Sequence, residues 1–286
     1  MNKTTKFLIL IGILCLLFIS LVRAVARPQP PAQIIGIFWQ PDLNTKPQGN
    51  WDLLGAQTFV PQFGINNGKS WFPTTTKMKE WETIPNWTEV QQKPWAKNLI
   101  LGLSGNYNEI EARTHVDEHG KASLKFIQEV QLSQSPQAYY FPVEADPSWL
   151  RVSALAKVLK TLPKPLWVSI YSGETNPPNY VAWLESWLPD NTNVFFQDGV
   201  GTGVRSPEQA IKIVKKLQNK FGEKRVVIIL EAFRHNKDGS FRPAHSWEII
   251  QQLKAYEGQE VYIFDGPHYV DKVTVHAISL WQKLVY

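Results

Sequence analysis

The chain has 286 residues, 30 of them basic and 25 acidic, for a formal charge of +5, with one cysteine and twelve tryptophans. No lysine- or arginine-rich run marks a nucleic-acid surface, which excludes that class of partner from the reading. Lys3, Lys6 and Arg23 lie in the first 26 positions, so the remainder carries only +2.

Residues 1–26 read as a secretory signal peptide. Lys3 and Lys6 make a basic start, Phe7 to Val22 is apolar apart from Gly12, Cys15 and Ser20, and Ala24-Val25-Ala26 fits a small-x-small cleavage site. The alternative is an uncleaved anchor, but the 16-residue run is short against the roughly 20 of a membrane span. Cleavage makes the protein periplasmic or secreted; only the anchor would tie it to a membrane. The residue before Cys15 is Leu14, which does not suit a lipoprotein site, and no cysteine follows. A cysteine-free chain suits an oxidising compartment. Residues 27–33, with Pro28, Pro30 and Pro31, form a stiff linker. Residues 34–286 have the usual length of one (β/α)8 barrel.

Eight short apolar runs read as strands: Ile34–Trp39, Thr58–Phe63, Leu99–Leu103, Tyr139–Glu144, Leu166–Tyr171, Val194–Gln197, Val226–Glu231 and Val261–Asp265. Most are apolar on both faces, as buried parallel strands are. Pro142 cannot donate a ladder bond and calls for a bulge in the fourth run. Helical patterns separate several runs. Ser148 to Leu162 sets Leu155, Val158, Leu159 and Leu162 on one face. Ser206-Pro207-Glu208-Gln209 is a capped helix start, and Ser246 caps another. Strands alternating with helices predict an α/β fold with a parallel sheet, and eight strands in this length predict a closed (β/α)8 TIM barrel. Gly64 to Asn98, with four tryptophans, reads as extended loop around a short helix. Asn106 to Ala122 reads as a polar insertion.

In such barrels the chemistry sits where strands end. Those positions hold Trp39, Gln40, Gln62, Ser104, Asn106, Glu144, Tyr171, Ser172, Gln197, Asp198, Glu231 and Asp265. Collectively they suit a ligand with many hydroxyls. Glu144 and Glu231 end the fourth and seventh runs, on opposite sides of an eight-strand barrel. Two carboxyls flanking one bond are what glycoside hydrolysis requires. They are the candidate catalytic pair; Trp39, Gln40, Gln62, Tyr171, Gln197, Asp198 and Asp265 are candidate substrate contacts. Trp39, Tyr171 and one or more tryptophans of Gly64–Asn98 are expected to line the cleft. Asp198 either binds a sugar hydroxyl, supports a catalytic glutamate, or makes a turn. No close histidine pair points to a metal, no phosphate-loop lysine follows the glycines at 199–203, and no Gly-x-Ser-x-Gly elbow occurs. No cofactor is expected.

Ile37-Phe38-Trp39-Gln40-Pro41, Gly55-Ala56-Gln57-Thr58-Phe59-Val60-Pro61-Gln62-Phe63, Tyr140-Phe141-Pro142-Val143-Glu144 and Phe195-Phe196-Gln197-Asp198-Gly199-Val200-Gly201 together resemble bacterial domain-of-unknown-function family 4434. The resemblance spans most of Ile34 to Asp265. It implies a barrel related to glycoside hydrolases, of clan A character, with Glu144 as acid/base, Glu231 as nucleophile and retention of configuration. Val143 stands where that clan has asparagine. The expected function is hydrolysis of a polysaccharide or oligosaccharide. The alternatives are a non-catalytic carbohydrate-binding barrel and a structural component of an envelope polysaccharide complex.

Overall fold

The computed structural model of this protein describes residues 30–76 and 78–285. The expected signal segment and the first part of the linker lie outside the described residues. Pro31–Tyr286 forms one compact unit. Among the described residues, no helix is long and apolar enough to cross a membrane.

Eight parallel strands close into a barrel in sequence order: β1 (Gln33–Trp39), β2 (Thr58–Pro61), β3 (Asn98–Gly102), β4 (Ala138–Ala145), β5 (Leu166–Ile170), β6 (Thr192–Gln197), β7 (Val226–Glu231) and β8 (Glu260–Phe264). β8 pairs back to β1 through Ile34 opposite Val261 and Ile37 opposite Ile263. All eight sequence-read strands are present: Val226–Glu231 is unchanged, four differ at one end and three at both, by a residue or two. The irregularity expected at Pro142 lies between Phe141 and Ala145, which face Val168 and Ile170 of β5. Four residues of β4 thus advance while β5 advances two, and side-chain alternation is preserved across the bulge.

The helices that follow the strands are α1 (Trp87–Gln91), α2 (Glu109–Thr114), α3 (Val116–Glu129), α4 (Val152–Thr161), α5 (Tyr180–Glu185), α6 (Pro207–Phe221), α7 (Ser246–Ala255) and, after β8, α8 (Gly266–Tyr269) and α9 (Lys272–Val285). α6 starts as read: the Ser206 side chain accepts from the Gln209 amide, and Gln209 accepts from the Ser206 amide in return. Three expectations are corrected. The cap of α7 is His245, whose N–H donates to Glu248 at 2.7 Å. α4 begins at Val152, because Ser148 instead folds back on Asp146. The stretch expected as a polar insertion is α2 and the first part of α3. α3 buries Val116, Gly120, Ser123 and Phe126, a face too small and polar to show as an apolar stripe.

Alternation along each strand divides the side chains into two sets. Phe38, Val60, Ile100, Tyr140, Phe195, Ile229 and Tyr262 form one cluster, which fills the barrel. Trp39, Phe59, Leu101, Phe141, Val168, Phe196, Leu230 and Ile263 belong to the larger cluster between barrel and helices. Phe38 is central to the inner set. Its ring meets Tyr140, Phe195 and Tyr262 edge-on at centroid distances of 5.4, 5.1 and 6.0 Å. Phe38→Ala should cost about 3–5 kcal/mol through the cavity it leaves. Urea unfolding of the purified barrel checks this; a loss under 1 kcal/mol would mean the lumen is not the packed core described.

Candidate active site

The two-residue period decides which strand-end side chains reach the mouth of the barrel. Counting on from the lumen residues Phe38, Val60, Tyr140, Phe195 and Ile229, the same face carries Gln40, Gln62, Glu144, Gln197 and Glu231. Tyr171 follows Trp167 and Ser169 on that face of β5. Trp39, Asp198 and Asp265 fall on the other face. This is the physical reason why those three do not stand among the open lumen residues.

Glu144 is held from two sides. Gln197 Nε2 donates to its Oε2. Arg113 of α2 lies with Nη2 at 3.5 Å from Oε1, and its Nε donates to the Glu144 backbone carbonyl at 3.0 Å. Its side chain keeps 15 % exposure, enough for contact with a ligand. Burial raises its pKa to about 7 against the opposing hydrogen bond of Gln197 and charge of Arg113.

Glu231 is clamped by backbone. The amides of Gly201 and Thr202 donate to its Oε2 at 2.8 and 3.2 Å. Oε1 has no hydrogen-bond donor among the described residues. Gly201 is required by this approach: a Cβ there would lie 2.8 Å from the Glu231 Cβ. Thr202 also meets the Tyr171 hydroxyl, Oγ1 to Oη, at 3.1 Å. Gln197, which holds Glu144, thus begins the segment whose amides at 201 and 202 hold Glu231. Glu231 is only 2 % exposed. Burial, and then the charge of Asp198, raise its pKa to about 8 against the two amides.

Asp198 is not an open substrate contact; it takes the other two roles left open for it, bracing the Glu231 backbone and making a turn. It is fully buried. Its Oδ2 accepts from Gln252 Nε2 and Tyr256 Oη of α7, each at 2.8 Å, and its Oδ1 accepts from the Val200 and Glu231 amides at 3.0 and 3.4 Å. Burial raises its pKa despite these bonds. Asp198 therefore fixes the end of β7 and the glycine loop against α7, with both oxygens occupied.

Asp265 is likewise buried and occupied. Oδ2 accepts from the Gln40 amide at 2.6 Å and lies 2.9 Å from His268 Nδ1, while Oδ1 caps α8 through the His268 amide. His268 Nε2 meets Asp42 Oδ2 at 3.1 Å. Burial would lower the His268 pKa, but its bonds and charge interactions with Asp265 and Asp42 raise it to about 9.

Trp39 is 1 % exposed and packs beside Phe59, Trp71 and Trp87. Trp71, Trp87 and Trp95 are buried too, and half-buried Trp81 stacks on Trp71. The expectation that Trp39 and tryptophans of Gly64–Asn98 line the carboxylate cleft is corrected: these indoles are mainly core. Trp39 and Trp71 instead border a separate cavity of about 470 Å³, which Asp42, Asn86 and Glu89 also line and the two glutamates do not. Gln40 reaches Asp265 through its backbone. Gln62 is half-buried, and its Oε1 is sealed without a partner.

The sequence reading missed Glu109 and Arg113. Arg113 Nε lies 4.0 Å from Glu109 Oε2, so one guanidinium stands between Glu109 and Glu144. Burial, and then the charge of Glu144, raise the Glu109 pKa to about 8. The available signal was the Asn108 cap followed by an i,i+4 Glu–Arg pair. Among the described residues no group of three metal-ligating side chains occurs.

The crystal structure of a "putative alpha-L-fucosidase" from Bacteroides thetaiotaomicron VPI-5482 superposes on 90 % of this chain and 95 % of its own, with a TM-score of 0.56 and 14 % identity. At that identity the likeness establishes a shared barrel fold. No protein-family model and no curated protein matches the sequence.

Glu109, Glu144 and Glu231 all hold protons more tightly in the fold than in an unfolded chain, where glutamate titrates near about 4.3. The folded state therefore binds more protons than the unfolded one above that pH. Stability from these groups is full below it and is lost as pH rises through about 7–8. Melting temperature should fall between pH 5 and 8.5, and less steeply in Glu231→Gln. Equal slopes in the two proteins would show that Glu231 is not buried as an acid.

Proposed function

We propose that this chain is a glycoside hydrolase acting on a polysaccharide or oligosaccharide, with Glu144 and Glu231 as its two carboxyl groups. The supporting observation is their convergence: both lie on the lumen face at strand ends, and the segment after β6 meets both, Gln197 at Glu144 and the Gly201 and Thr202 amides at Glu231. One carboxyl must protonate the leaving oxygen while the other attacks the sugar carbon or activates water. Glu144, with a pKa raised to about 7 and a partly exposed carboxyl, is the proton donor. Glu231, with Oε2 clamped and Oε1 unengaged, is the nucleophile of a retaining reaction. Export by the N-terminal segment would give it access to extracellular or periplasmic glycan.

The proton affinity of Glu231 sets the working pH. Reaction needs Glu231 ionised while Glu144 is still protonated; with the donor at about 7 and the nucleophile at about 8, that form is a minor one, most populated between the two. The profile is a bell on the neutral-to-alkaline side, unlike that of an acid glycosidase. One observation favours a second reading, a carbohydrate-binding barrel without turnover: Glu231 is nearly sealed from solvent and protonated at neutral pH.

A polysaccharide panel scored for binding and for new reducing ends separates the readings. The proposal predicts cleavage near pH 7–8. Glu231→Gln should remove at least about 10³-fold of the rate; Glu144→Gln should spare substrates with good leaving groups more than poor ones. Binding without cleavage selects the second reading, and full activity in both variants excludes the two-carboxylate mechanism.

A further inference from the structure

We propose that Glu109 is a positioning residue for the donor Glu144: across Arg113 the two carboxyl groups share one guanidinium and hold one proton between them, with Glu109 as its resting place. This rests on the donor role proposed for Glu144, but the pairing itself can be tested without turnover.

The geometry is that of two acids and one base. Arg113 reaches Glu144 Oε1 at 3.5 Å and Glu109 Oε2 at 4.0 Å. Its Nε is already committed to the Glu144 carbonyl. Glu109 Oε2 is sealed from solvent and accepts no hydrogen bond, although about a third of the side chain is exposed. An ionised oxygen in that position lacks both water and a full ion pair, whereas a protonated carboxyl loses much less there. The other groups facing the pair do not supply the missing positive charge. Asp146 after β4 adds negative charge beside Glu144, Glu231 stands across the lumen, and Tyr140, Tyr171 and Tyr180 are neutral phenols. One cation thus faces two carboxyls, and like charges at one site titrate in two coupled steps.

The order of those steps gives Glu109 its role. Glu144, held by Gln197 and Arg113, loses its proton first, and its new charge then holds the proton of Glu109, whose sealed Oε2 has no donor. Between those two steps the pair holds one proton, on Glu109, and Glu144 can protonate a leaving oxygen only when that proton reaches it. The proton passes from the Glu109 carboxyl to the Glu144 carboxylate, leaving Glu109 ionised beside Arg113 until solvent returns the proton. No bond to carbon changes in this step, and charge is conserved within the pair.

The experiment is carboxyl ¹³C NMR titration of the glutamate-labelled barrel from pH 5 to 9.5, in wild type, Glu109→Gln and Glu144→Gln. Wild type should show two coupled carboxyl titrations. In Glu109→Gln a single step near about 7 should remain for Glu144. In Glu144→Gln the Glu109 step should move below about 8, because the charge that raised it is gone. Where an activated and a poor-leaving-group glycoside are turned over, Glu109→Gln should bring the alkaline limb down by about one pH unit for the poor substrate only. Independent titrations, unmoved in either variant, overturn the proposal even if the protein is an active glycosidase. Coupled titrations in a protein that cleaves no glycan support the pairing and count only against the hydrolase reading.

Discussion

A side chain on a barrel strand points either into the lumen or out to the helices, and a shift of one residue exchanges the two. This alternation organises the whole molecule. It gathers Phe38, Tyr140, Phe195 and Tyr262 into the inner packing and continues to the strand ends as Glu144, Gln197 and Glu231. The same rule turns Trp39 and Asp198 outward, where one becomes core and the other a brace. The bulge at Pro142 preserves the order because it adds residues to β4 in an even number.

The second constraint is electrostatic. The site region buries four carboxyls, Glu109, Glu144, Glu231 and Asp198: Arg113 faces the first two, while Arg234 and Arg205 donate to the backbone carbonyls of Glu231 and Asp198. Hydrogen bonds offset part of the loss of water, through Gln197 at Glu144, two amides at Glu231 and two α7 side chains at Asp198. The remainder appears as raised proton affinity. Protonation near neutrality is what a donor for a sugar leaving group needs. Such an arrangement also costs stability as pH rises. The end of β8, beside β7, balances differently, since His268 lies between Asp42 and Asp265 and carries its charge.

Much of the barrel was legible because its strands are short β-branched and aromatic runs broken by helices. The catalytic candidates were legible because a glutamate ends an apolar run twice. The facing of individual residues was not. A parallel strand apolar on both faces, such as Val226–Glu231 or Ile34–Trp39, carries no alternating pattern to orient it. Trp39, Asp198 and Asp265 therefore looked equivalent to Gln197 and Glu231 at the strand ends. Glu109 and Arg113 were hidden for another reason. Their helix lies in a polar stretch, and α3 beside it packs through Gly120 and Ser123 as well as Phe126. The tryptophans of the β2–β3 excursion look like sugar platforms by composition. Only packing reveals that Trp71, Trp87 and Trp95 are buried against their neighbours.

The central claim is that Glu231 is a nucleophile at the mouth of this barrel. Covalent trapping addresses it most directly: incubation at pH 8 with a panel of 2-deoxy-2-fluoroglycosides carrying activated leaving groups, followed by intact-mass and peptide analysis. One added glycosyl unit is expected, on the peptide spanning Val226 to Glu231 and on Glu231 itself, with no label in Glu231→Gln. Label on a different carboxyl, or hydrolysis of the parent glycosides with no trapped intermediate anywhere, would contradict it.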